Sequence, residues 1–75
     1  MLKVKDLIAL GIYLKEGEKV FAESVEINPK TGHSIPVLEE VTVVSVNEAG
    51  YPTVKFYDGG LTPLFGEDDI ELKRN

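Results

Sequence analysis

Residues 41–72 read VTVVSVNEAGYPTVKFYDGGLTPLFGEDDIEL, and the fold of the chain turns on them. Residues 41–46 are the most β-branched run, as a central strand requires. Asn47-Glu48-Ala49-Gly50 is a turn ending in glycine. In residues 52–57 alternation directs Val54 and Phe56 inward and Thr53, Lys55 and Tyr57 outward. Asp58-Gly59 is the strongest hairpin signal and predicts a type I′ turn, with positive φ at both central residues. Residues 61–65 form the next strand, with Pro63 marking an edge. Gly66-Glu67-Asp68-Asp69 is a short acidic turn, and residues 70–72 close the set.

Upstream, residues 19–27 alternate on both faces, which predicts a long strand with a bulge or bend midway. In Asn28-Pro29-Lys30-Thr31-Gly32-His33, the asparagine caps a turn, the proline presets φ and the glycine supplies the left-handed residue. Residues 34–37 return; Pro36 lacks an N–H and makes this strand an edge or a short piece. Residues 23–37 together predict a projecting β-ribbon. Lys15-Glu16-Gly17-Glu18 is a turn. Residues 3–11 are the helix candidate. Val4, Leu7, Ile8 and Ile12 share one helical face, Gly11 is placed to end the helix, and Lys3 is a poor N-cap. Such a piece is expected to lie as a lid over an open barrel end.

The pattern predicts a mainly all-β domain spanning residues 1–75. Its parts are a helix at 3–11 and, at 17–72, a barrel of five to six short antiparallel strands. Closure is expected because it removes exposed edges. With 75 residues and no cysteine, the core must be aliphatic and aromatic packing alone. The net charge of −5, with basic pairs only at Lys3/Lys5 and Lys73/Arg74, argues against a phosphate-backbone partner. No apolar run is long enough to span a membrane. The lack of cysteine and of an export signal points to a cytoplasmic setting.

Four motifs taken together resemble Tudor-type and related SH3-like small barrels. They are Gly17-x-x-Val20-x-Ala22, Val41-x-Val43-x-x-Val46, Val54-x-Phe56-x-Asp58-Gly59, and Leu64-x-Gly66 followed by Asp69-Ile70. The stretch from Val46 to Glu71 is also similar to small SH3-like proteins of bacteria and their mobile elements. The resemblance implies a binding domain. In Tudor domains an aromatic cage with a carboxylate often holds a methylated cation. By the motif Phe56 and Asp58 match two cage positions. Gly60 stands where an aromatic is often found, Glu23 or Ser24 occupies the first-strand aromatic position, and tryptophan is absent.

The candidate binding residues are Tyr51, Tyr57, Asp58, Phe65, Glu67 and Asp68. Tyrosine offers an apolar face with a polar tip, and the carboxylates suit a basic protein surface. Glu67, Asp68, Asp69 and Glu71 lack the spacing of a calcium loop. His33 stands at a loop tip with no nucleophile partner, and Gly59-Gly60 opens a strand, where a phosphate loop would open a helix. No catalytic residue, metal or cofactor is expected. The expected function is non-enzymatic docking of a protein or peptide partner. A homodimer paired through the edge strand at 34–37 is the alternative, and an accessory protein touching nucleic acid is a further one.

Overall fold

The computed structural model describes residues 2–73. Its elements are β1 (Leu2–Lys3), α1 (Val4–Ala9), β2 (Lys19–Ile27), β3 (Ser34–Val46), β4 (Pro52–Lys55), β5 (Leu61–Pro63) and β6 (Asp69–Leu72). They form one antiparallel six-stranded sheet in the order β1-β6-β2-β3-β4-β5, with one short helix. The domain is mainly all-β, as the sequence predicts.

The sheet is not closed, which corrects the expected barrel. Its end strands, β1 and β5, span two and three residues and share no ladder. Such short end strands offer few groups with which to close a cylinder. β1 itself was not foreseen in the sequence; it pairs with β6 through Leu2↔Ile70 and Lys3↔Asp69.

The two strands expected at 34–37 and 41–46 are a single strand, β3, thirteen residues long. At about 3.3 Å per residue it spans roughly 40 Å, matching the 43 Å long axis of the molecule. Its register with β2 runs unbroken from Lys19↔Thr42 to Ile27↔Ser34, so β2 carries no bulge. The irregularity lies in β3 opposite β4, between Val43 and Ser45. β6 leaves β2 at Ala22 and β4 leaves β3 at Thr42. Beyond those points β2 and β3 continue as the predicted two-stranded ribbon.

The core is Val20 and Ala22 of β2, Val41 and Val43 of β3, Val54, Ile70, Leu14 and Leu64, together with Val4 and Leu7 of α1. The helix thus completes the core. Ile8 is half-buried, and Ile12 lies beyond the helix, 37% exposed. The Ile12 amide donates to the Leu7 carbonyl at 2.9 Å and the Gly11 amide to the Ile8 carbonyl at 3.0 Å. With Gly11 at φ 78°, this is a Schellman end. At the start Lys3 gives no side-chain cap. The Val4 and Lys5 amides donate instead to the Asp68 and Gly66 carbonyls, at 2.9 and 3.0 Å.

The Asp58-Gly59 turn is not type I′. Only glycines have positive φ among the described residues, so Asp58 does not meet that requirement. The Gly59 amide donates to the Phe56 carbonyl, and the Phe56 amide to the Gly60 carbonyl. This makes a three-residue loop with a left-handed glycine last. Residues 47–51 repeat it: the Gly50 amide donates to the Asn47 carbonyl, and the Asn47 amide to the Tyr51 carbonyl.

Candidate functional site

Where the ribbon leaves the sheet, the β4–β5 loop leans against it. The Tyr57 amide donates to Glu39 Oε2 at 2.9 Å, fixing the loop to β3. Asp58 Oδ1 accepts the Gly60 amide at 2.8 Å, so this carboxylate rigidifies its own loop. Between loop and ribbon runs an open groove of about 470 Å³, lined by Ser24, Val25, Glu39, Phe56, Tyr57, Asp58, Gly60 and Thr62. Tyr57 stands at its lip, 96% exposed. Phe56 is half-buried, packing against the core from the same wall.

A second recess adjoins the first through Ser24 and Val25. Its other lining residues are Glu23, Glu67, Asp68 and Asp69. The two recesses together bring in six carboxylates, and among the described residues no lysine or histidine lines either. Several of these acids already have partners. Glu67 Oε2 accepts from Lys3 Nζ and Oε1 from Lys5 Nζ, each at 2.6 Å. Hydrogen bonds from Lys3 and Lys5 hold the Glu67 carboxyl down at about 2, and the hydrogen bond to Glu67 raises Lys3. Asp68 Oδ2 accepts the Phe65 amide at 2.5 Å.

Of the residues singled out in the sequence, Tyr57 and Asp58 share the groove, and Glu67 and Asp68 share the adjoining recess. Tyr51 and Phe65 line neither recess. Tyr51 is half-buried against the core, its hydroxyl 3.6 Å from where a Cβ on Gly66 would stand, and Phe65 is 63% exposed. Ser24 was noted in the sequence only as one of two residues at the first-strand aromatic position, and Val25, Glu39 and Thr62 were not picked out. Glu39 carried a readable signal: it follows Val43 and Val41 in the core-facing register of β3, an acid where an aliphatic residue would continue the pattern.

Among the described residues no three His, Cys, Asp or Glu side chains are placed to hold a metal ion, and no helix is long and apolar enough to cross a membrane. Comparison of the chain with protein-family models, with curated proteins and with solved structures gives no match.

Proposed function

We propose that this chain is an SH3-like, Tudor-type domain that acts without catalysis, docking a protein partner in the groove between the ribbon and the β4–β5 loop. The resemblance is supported by where its motifs fall. Val20 and Ala22 lie in β2, Val54 in β4, Asp58-Gly59 in the loop after it, and Asp69-Ile70 open β6.

One observation carries the docking reading. A tyrosine that is 96% exposed stands on a loop held by Glu39 and Asp58, over a groove with carboxylates and, among the described residues, no cation. An aromatic side chain on a backbone held in this way is an efficient contact residue, since it offers a large area for only two χ angles ordered on binding. The groove's charge fits a basic or neutral segment of the partner.

The test is retention of partners from host lysate by wild type and by Tyr57→Ala, each captured protein then titrated as a pure component. The reading expects titration shifts confined to Ser24, Val25, Tyr57, Asp58 and Gly60, with Tyr57→Ala losing the interaction. Identical partners and affinities for the two forms would remove the groove as the docking site.

A further inference from the structure

Backbone bonds fix which way each residue of the ribbon points. The Val43 amide donates to the Glu18 carbonyl at one end of the β2–β3 ladder, and the Asn28 amide to the His33 carbonyl at the other. The register between them is continuous. Bonded pairs therefore alternate through Ala22↔Glu39, Ser24↔Val37 and Glu26↔Ile35. The N–H and C=O groups of Val25 and Ile27 face away from β3, as do those of Ser34, Pro36 and Leu38 from β2.

Free strand edges invite another strand, and proline at an outward position blocks it. On β3 the middle outward position is Pro36. On β5 the Phe56–Gly60 and Pro52–Leu64 bonds make Leu61 and Pro63 the outward pair, so that edge is blocked too. β2 past Ala22 has no such block. β6 has turned away, and among the described residues the outward groups of Val25 and Ile27 have no partner.

We infer that the open edge of β2 at Val25 and Ile27 is an acceptor for one added strand. That strand is an extended segment of a protein partner in which apolar and cationic residues alternate. The alternation follows from the two faces. On one, Val25 and Ile27 are 61% and 65% exposed, beside Pro36 and Leu38. On the other lie Ser24 and Glu26, across from Val37 and the exposed Ile35; the carboxylate of Glu26 there, and at the near end of the edge the recess of Glu23, Asp68 and Asp69, favour a cationic strand. A strand continuing the line of β6 sets alternate side chains against each face. Charge selects this occupant over a second copy, because two β2 edges joined about a two-fold at Val25 place both Glu26 carboxylates on one face as diagonal neighbours.

The inference rests on the chain being a binding module and names a second part of the partner's seat. The probe is a short capped peptide of alternating lysine and valine, with a glutamate–valine peptide as control. It is titrated into the full chain and followed by amide spectra and hydrogen exchange. The lysine–valine peptide is expected to protect the Val25 and Ile27 amides, and the control to leave them exchanging. Val25→Pro puts a ring where the outward N–H stood and is expected to weaken binding at least about tenfold. Glu26→Lys, a surface change that leaves the ladder intact, is expected to weaken it as well. Undiminished binding in both variants, equal binding of the control, or a peptide-free dimer with both amides already protected would each overturn the inference. Peptide binding lost in Tyr57→Ala but kept in Val25→Pro overturns the edge and leaves the groove standing. Protection of the edge with Tyr57→Ala indifferent in the lysate experiment upholds the edge and removes the groove.

Discussion

The amide of Val4 donates to the carbonyl of Asp68 at 2.9 Å, joining the first turn of the helix to the turn before the last strand. Lys5 and Gly66 repeat the link, and Glu67 between them holds both Lys3 and Lys5. A helix of six residues without a side-chain cap has no stability of its own. Its free amides are satisfied by a turn some sixty residues away in sequence, and its apolar face by the sheet.

Acid should loosen this joint in a defined window. Glu67 titrates at about 2 in the folded chain against an ordinary 4.5. Its contribution to stability is therefore complete above about 4.5 and is lost as pH falls toward 2. Lys3 is raised, so the same pair is intact below 10.5 and weakens as pH climbs past it. Amide shifts of Lys3, Lys5 and Gly66 followed from neutral to acid pH should move in that acid window. The movement should be smaller in high salt, because the pair is exposed. Glu67→Gln should abolish it, and an unchanged titration in that variant would assign the shifts to another group.

Leu7 tests whether the helix belongs to the core. It is among the largest fully buried side chains, while Leu10 one turn on is 67% exposed. Leu7→Ala should cost ~3 kcal/mol in urea unfolding. Leu10→Ala should stay within about 0.5 kcal/mol. Equal effects would mean that the helix packs more loosely than its burial indicates.

Much of this was legible in the sequence, for reasons tied to particular residues. The bounds of β2, the ribbon and the glycine-led corners follow from alternation and turn chemistry, which are local. Closure was misread because it depends on whether β1 and β5 are long enough to meet, and alternation does not measure that. Pro36 marks an edge or a short piece in the sequence, and the edge is what the structure has: outward on the free side of β3 it interrupts nothing, and β3 runs through it. The poor cap at Lys3 was visible, but its remedy at Asp68 is a long-range contact. Tyr57 and Asp58 were legible as outward turn residues. Ser24 and Val25 join the groove only because β6 stops at Ala22.

Gly50 and Gly59 separate backbone strain from packing. Both have positive φ, 92° and 86°, at the same place in matching loops. A Cβ on Gly50 would stand 3.3 Å from Ile8 Cδ1 and 3.5 Å from Tyr13 Cδ1, whereas one on Gly59 meets nothing within 4 Å. Gly59→Ala should cost about 1 kcal/mol, the left-handed penalty alone. Gly50→Ala should cost more, since Ile8 must also give way. Thermal unfolding of the two variants measures the difference, and a cost no greater at Gly50 would show that Ile8 shifts freely.

Pro36 supplies the last prediction. It is the middle outward residue of the free β3 edge, between Ser34 and Leu38, and residues 34–38 carry no charge. Removing its ring restores an outward N–H to an apolar edge that no described strand pairs with. Pro36→Val should leave the β2–β3 ladder intact, because the bonded partners on either side are Ile35 and Val37. It should promote self-association, seen as a sedimentation coefficient rising with concentration well above that of wild type. If both proteins sediment alike across the range, Pro36 is not what protects this edge.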